Sequence, residues 1–315
     1  LPQPFAVVDA FLGRCPVAAH EAALTWEILR MSTTSEKTRS FGGKITIGGD
    51  LTVNRMGFGA MRITGKGIWG EPSDHAAAVA LIRHVVEQGV DFIDTADSYG
   101  PNVSEEIIAE ALAPYRDDVV IATKAGLVRT GPNQWPIDAR PERLRECLEG
   151  SLRRLKRETI DLYQLHRIDP NVPVEESLGA LVEMQREGKI RHIGVSQTSV
   201  EEYERAKKTA TIVSVQNLYN VEDRSAEDVL LACERDGVAF LPWFPLGGSG
   251  SPKHDALERI ASAHDATASQ VALAWLLARS KVMLPIPGTS SIAHFDENLA
   301  AAELVLSDGE LAELA

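Results

Sequence analysis

Eight times along residues 53–290 of this 315-residue chain, a short apolar run ends on a polar side chain and gives way to a segment whose apolar residues recur at helical spacing. The runs cover 53–59, 90–94, 119–123, 160–165, 190–195, 212–215, 238–241 and 282–286. Near-continuous apolar runs mark strands buried on both faces, and helices between them mark parallel crossovers. Val79, Ile82, Val85 and Val86 follow Ser73 and Asp74 and are stopped by Gly89, while Leu144, Leu148, Leu152 and Leu155 follow Pro141. Asn102 with Glu105 three residues on predicts a capped helix over 104–112. Arg153, Arg154, Lys156 and Arg157 close the Pro141 helix and read as a solvated face that complements its dipole. No change of composition divides the series, so the economical fold is α/β, a single (β/α)8 TIM barrel. An open doubly wound sheet is the alternative, weakened by the absence of G-x-G-x-x-G after the first strand.

Residues 44–53 are two short alternating stretches about Gly48-Gly49, a hairpin signature, which we place as a cap on the barrel bottom. The expected division is an N-terminal extension over 1–42 and one barrel over 43–315, since a barrel uses about 250 residues. Within the extension, residues 1–30 precede a natural-looking start at Met31, and Asp9, Arg14 and Glu21 break any secretory pattern. Against 32 basic residues stand 45 acidic ones, a net charge of −13, which repels nucleic acid and anionic membrane. A small molecule is the expected partner. Cys15, Cys147 and Cys233 have no metal or redox spacing, so a reduced, cytoplasmic protein without a metal is expected, and the monomer is the default state. No apolar run reaches the roughly 18 residues a membrane span needs.

Catalytic groups in barrels stand where strands end. The second run ends on Asp94 with Tyr99 one turn later, the third on Lys124 and the fourth on His166. Each alone has an ordinary reading: Asp94 with Lys124 a buried ion pair, Tyr99 packing, His166 a satisfied core histidine. Four at consecutive strand ends face one pocket and suit carbonyl reduction. A phenol gives the proton as the oxygen becomes alkoxide-like, a cation lowers the phenol's pKa, a carboxylate orients the cation, and an imidazole aims the carbonyl.

Asp94-Thr95-Ala96-x-x-Tyr99, Thr123-Lys124 and Leu165-His166 resemble, in order and spacing, the tetrad motifs of the aldo-keto reductase family. The likeness runs from Met56 to Leu304 and takes in Gly194-Val195-Ser196, Val215-Gln216-Asn217-Leu218-Tyr219-Asn220, Phe244-Pro245-Leu246-Gly247 and Ile286-Pro287-Gly288-Thr289 with Glu297-Asn298. The Gly57-Phe58-Gly59-Ala60-Met61 opening and the loop at Pro245 look like bacterial pyridoxal or aldehyde reductases. The resemblance implies NAD(P)H-dependent reduction of aldehydes or ketones to alcohols, with Tyr99 as proton donor and an extended dinucleotide that needs no Rossmann fingerprint. It implies that Ser196, Gln197 and Gln216 hold the carboxamide and that Trp243 stacks on the nicotinamide. Leu246, Gly247 and Ser249 would approach the pyrophosphate, and Gly288, Thr289, Ser290, His294, Glu297 and Asn298 would surround the adenosine. Gly59, Ala60, Met61, Asp94, Phe244 and Pro245 complete the cofactor contacts.

Two departures from the family stand out. Gln197 replaces a common asparagine, which leaves the carboxamide chiefly to Ser196 and Gln216. Gly288 and His294 stand where lysine and arginine commonly meet the 2′-phosphate, so NADPH leads on family habit, with NADH possible. Met61, Trp69, Tyr99, Trp135, His166 and Ile168 are the expected substrate pocket, open because no long C-terminal loop follows the last helical pattern. Two other functions remain: a barrel lyase using Lys124 as a Schiff base, and a cofactor-sensing regulatory subunit.

Overall fold

The computed structural model describes residues 41–247 and 253–315, and in it the apolar runs become one curled parallel sheet in consecutive order. An antiparallel hairpin of β1 (Lys44–Ile47) and β2 (Leu51–Asn54) comes first. The sheet follows as β3 (Phe58–Gly59), β4 (Phe92–Asp94), β5 (Val120–Ala125), β6 (Ile160–Leu165), β7 (Ile190–Ser196), β8 (Ile212–Gln216) and β9 (Ala239–Phe240). Helices α1 (His75–Glu87), α2 (Val103–Leu112), α3 (Pro141–Leu155), α4 (Val174–Arg186), α5 (Val200–Thr209) and α6 (Glu227–Asp236) make the crossovers. After β9 come α7 (His254–Ala263), α8 (Ala268–Arg279), α9 (Ile292–Ala300) and α10 (Asp308–Leu314).

Strand alternation sorts the core into two. Ile93, Ile121, Tyr163, Ile193, Val215 and Phe240 face the helices, whereas Phe92, Ala122, Leu162, Val213 and Ala239 point inside the barrel. Ile47, Leu51 and Val53 of the hairpin join that inner cluster and plug its lower end, as expected. Each fully buried side chain of this kind contributes roughly 1.5–3 kcal/mol. The turn is tight because Gly48 and Gly49 take φ of 62° and 87°, and a Cβ on Gly48 would meet the His192 ring at 2.3 Å.

The expected eighth strand, 282–286, closes the barrel without a full ladder. Phe240 N donates to Val282 O (2.8 Å) and Leu284 N to Phe240 O (2.9 Å) on one side, while Gly57 N donates to Pro285 O (2.9 Å) and Gly59 N to Pro287 O (3.2 Å) on the other. Pro285 and Pro287 have no N–H to return, so this edge bonds in one direction only. The first run also divides, into β2 and the short β3, because Asp91 accepts from the backbone N–H and side-chain amide of Asn54 and turns the chain into the barrel.

Two local readings are corrected. Asn102 does not cap α2: it sits at φ 73° with no side-chain bond, and Glu105 is wholly buried, accepting from Thr123 Oγ1 (2.6 Å) and Arg154 Nε (2.7 Å). The basic cluster is accordingly not a solvated face throughout, since Arg154 is spent on Glu105 and Arg157 on Val119 O and Asp161. Burying an acid requires such partners. Of the expected extension only Phe41 and Gly42 are described, and Phe41 packs into the core. Among the described residues no helix is long and apolar enough to cross a membrane, and no cluster of His, Cys, Asp and Glu could hold a metal. Cys147 and Cys233 are free and buried.

Candidate active site

Above the apolar filling, the C-terminal end of the barrel carries one polar layer. Alternation that turns Phe92, Ala122 and Leu162 inward turns Asp94, Lys124 and Gln164 inward two residues later, and Lys124 pairs in register with Gln164. Lys124 Nζ donates to Asp94 Oδ2 (2.6 Å), Thr95 O (2.8 Å) and Tyr99 OH (3.4 Å). The other carboxylate oxygen, Asp94 Oδ1, accepts from Gln164 Nε2 (3.2 Å) and Gln216 Nε2 (2.9 Å). Gly194 makes this possible, because a Cβ there would meet Ser214 Oγ at 2.1 Å and Gln164 Cγ at 3.0 Å. His166 lies edge-on to Tyr99, with ring centroids 5.9 Å apart, and its Nδ1 is 3.5 Å from Ser98 Oγ.

Burial sets the protonation of this group. It pushes the Tyr99 phenol up, and the Lys124 cation opposes without reversing the direction, so the net lowering expected from the sequence does not hold and the hydroxyl keeps its proton. Burial acts to lower Lys124, but the Asp94 carboxylate and the bonds it makes outweigh that, and the lysine stays charged. His166 is driven well below the ordinary histidine range by burial, with Lys124 and Arg167 adding to it, and is neutral. A charged Lys124 with all three N–H groups engaged is a poor Schiff-base nucleophile, which weighs against a lyase.

Asp94, Tyr99, His166 and Gln216 form the floor of a cavity of about 550 Å3, with Lys124 and Gln164 wholly buried beneath it. Of the expected site, Gly59, Met61, Asp94, Tyr99, Trp135, His166, Ser196, Gln216, Trp243, Phe244, Pro245, Leu246, Gly247 and Gly288 line it. Others do not. Gln197 turns away at φ 55° and its Oε1 accepts from Trp243 Nε1 (2.9 Å), so it braces the indole. Ala60 is buried behind the wall and Ile168 packs against the outer core. Trp69 stacks under the Arg129 guanidinium, 5.6 Å from its ring centroid. Thr289 Oγ1 accepts from Ser291 N, Glu297 accepts from Thr267 at the start of α8, Asn298 is buried, and Ser290 and His294 stand at the start of α9 outside the cavity wall. Ser249 lies outside the described residues.

The aldo/keto reductase family model matches residues 55–315, which is most of the chain and all of its barrel strands beyond the hairpin. The chain belongs to the aldo/keto reductase family. This aldo/keto reductase is 47% identical over 286 residues to an uncharacterized oxidoreductase of Schizosaccharomyces pombe, covering 90% of the chain and 93% of the relative. It is 42% identical over 272 residues to pyridoxine 4-dehydrogenase of Escherichia coli, covering 84% and 95%. Among solved structures, a thermostable aldo-keto reductase in complex with the inhibitor epalrestat matches with TM-score 0.77 and 34% identity over 86% of this chain and 98% of that one. An aldo-keto reductase from Klebsiella pneumoniae in complex with NADPH matches with TM-score 0.74 and 29% identity over 86% and 93%. The protein is therefore an oxidoreductase built on a (β/α)8 barrel.

Sequence reasoning missed several groups of the reductase pocket. Gln164, buried beneath the floor, was within reach of it, since a polar residue two before His166 in an apolar strand must share its inward face. Arg62, Leu127, Ile137, Arg167, Ile286 and Pro287 line the cavity itself. Arg62 is an exposed cation beside Gly288, where a Cβ would lie 3.8 Å from Arg62 Cγ. Arg62 and Gly288 are distant in sequence, and no local pattern joins them.

Proposed function

We propose that this protein reduces aldehydes, pyridoxal and aromatic aldehydes foremost, with NADPH as the preferred donor and Tyr99 as the acid. The observation that carries the reading is the meeting of Asp94, Tyr99 and His166 at the floor of one cavity, with Lys124 buried beneath them and bonded to Asp94 and Tyr99. The cavity suits an extended dinucleotide: it runs from that floor past the half-buried Trp243 ring to Gly247 and Gly288, with the Ser196 hydroxyl in its wall. Ser196 and Trp243 would hold the nicotinamide end. Arg62 offers the phosphates a cation near the position where Gly288 lacks one, which supports NADPH over NADH. A reduced nicotinamide bound there supplies the hydride. The Tyr99 hydroxyl gives its proton to the carbonyl oxygen as that oxygen gains charge, and Lys124 stabilises the phenolate left behind. Asp94 holds Lys124 at 2.6 Å and is itself held by Gln164 and Gln216. Neutral His166 donates to the carbonyl oxygen and aims it without competing as an acid. The kinship to pyridoxine 4-dehydrogenase and the aromatic walls Trp135 and Trp243 support a flat substrate. The buried free thiols of Cys147 and Cys233 suit the reducing cytoplasm.

The test follows the loss of NADPH absorbance with pyridoxal and benzaldehydes in wild type and Tyr99→Phe. The phenyl variant should bind cofactor normally and reduce aldehydes roughly a hundred-fold or more slowly. Turnover by Tyr99→Phe close to wild type would remove Tyr99 from the acid's role.

A further inference from the structure

Arg167 brings a second cation into the pocket, and the reaction as proposed does not use it. It follows His166, is half-buried, and lines the cavity with Tyr99, Ser196 and Trp243. Nη1 donates to His166 O (2.7 Å) and Ser196 Oγ (3.2 Å), which fixes the guanidinium against the wall, 6.0 Å from the Trp243 ring centroid. Its Nε and Nη2 make no hydrogen bond among the described residues, and no described carboxylate pairs with it. Arg154 is paired with Glu105, Arg157 with Asp161 and Arg279 with Glu227. Arg55 and Arg129 are half-buried without a carboxylate but donate from all three of their nitrogens to backbone carbonyls, and Arg224, which also lacks a carboxylate, lies outside the cavity. Burial lowers the pKa of Arg167, yet a guanidinium stays protonated in a protein, so the charge persists. A cation partly removed from water, with no counter-charge among the described residues, gains from an anion that enters the cavity.

We infer that Arg167 is the anion-recognition group of the substrate pocket, so that the preferred substrates are aldehydes bearing an ionised oxygen, carboxylate or phenolate, near the carbonyl. It stands beside His166 and lines the same cavity as Tyr99, on a wall that a substituent of a bound aldehyde would face. The protein's net charge of −13 repels anions from afar, but salt screens that field beyond about 10 Å, and the local guanidinium decides binding inside the cavity. The inference rests on the reductase reading of the same pocket.

The experiment compares 3-carboxybenzaldehyde with its methyl ester, which keeps the ring and removes the charge, in wild type, Arg167→Leu and Arg167→Lys. Wild type should favour the carboxylate in kcat/KM by about tenfold or more, through KM rather than kcat, as a charge-assisted bond provides. The preference should vanish in Arg167→Leu, whatever loss both substrates share, and return in part in Arg167→Lys. A wild-type ratio near one, or a ratio unchanged in Arg167→Leu while NADPH binding weakens, overturns the inference and makes Arg167 a cofactor contact. Benzoate binding to the NADPH-loaded protein, followed by calorimetry, reads the anion site without turnover. If neither aldehyde is reduced but benzoate binds wild type at least tenfold tighter than Arg167→Leu, the reductase reading fails and the anion site stands.

Discussion

Replacing Lys124 with Met separates what the buried tetrad does for stability from what it does for chemistry. The lysine side chain is 0% exposed and its partner Asp94 4%, and they meet at 2.6 Å. Removing one partner of such a pair leaves an uncompensated buried charge, which typically costs about 3–5 kcal/mol. Asp94 keeps two amide donors, Gln164 at 3.2 Å and Gln216 at 2.9 Å, so the loss should fall at the low end, near 3 kcal/mol. For a domain of this size that is a fall in Tm of roughly 6–12 °C. Adding Asp94→Asn removes the stranded charge, and the double variant should recover to within about 1 kcal/mol of wild type. Aldehyde reduction should not recover with it, because the phenol still lacks its cation and both variants should be slower by roughly a hundred-fold or more. The assays are urea unfolding by circular dichroism and single-turnover reduction, with cofactor binding followed by fluorescence. A double variant no more stable than Lys124→Met would refute the electrostatic account of the pair. A double variant that reduces aldehydes at the wild-type rate would refute the role of Lys124.

Three further outcomes are expected. Asp97, buried with its Oδ1 unpartnered, is pushed up to about 7 by burial and by Glu105, so folding favours its protonated form and stability is lost as pH rises from about 4 through 7. Asp97→Asn should therefore stabilise the protein more at pH 8 than at pH 5 in paired unfolding curves, while the opposite slope from neutral His166 below about pH 6.5 cancels in the difference. Arg129 donates to Gly67 O, Ile68 O, Ser98 O, Gly131 O and Gln134 O and covers the Trp135 ring at 3.6 Å, so Arg129→Ala should raise KM for aromatic aldehydes several-fold and lower Tm, with Arg129→Lys unable to restore the fork of contacts. Gln197→Ala removes the acceptor of Trp243 Nε1, and calorimetry should show NADPH binding weaker by roughly threefold to tenfold, the worth of one hydrogen bond.

Most of the barrel was legible because its signal is local. A buried parallel strand must be apolar along its length, so β4 to β8 declare themselves, and Gly48-Gly49 declares the hairpin through the positive φ that both residues adopt. The eighth strand was legible as a position but not as a ladder, for its apolar residues point correctly while Pro285 and Pro287 withhold the donors a ladder needs. Glu105 shows a different limit. An acid three residues after Asn102 fits a capping box, and nothing nearby says that Thr123 and Arg154 will reach it from two other elements.

The candidate site divides along the same line. Residues at strand ends inherit their direction from the alternation beneath them, which is why Asp94, Lys124 and His166 could be assigned to one inward-facing group, and why Gln164 could have been. Residues on the connecting loops have no such register. Trp69 and Trp135 looked equivalent in the sequence, yet the Arg129 guanidinium packs 5.6 Å from the Trp69 ring and 3.6 Å from that of Trp135, and only Trp135 faces the cavity, edge-on to Tyr99. Arg167 is the sharpest case: it is one residue past the strand-end histidine, and only the hydrogen bonds of Nη1 to His166 O and Ser196 Oγ decide that it points into the pocket rather than to solvent. Substrate preference in a barrel enzyme therefore rests on contacts between loops, while the chemistry rests on the strands. In this chain the loop arginine that lines the cavity stands apart from the strand-end groups, so the two can be varied independently.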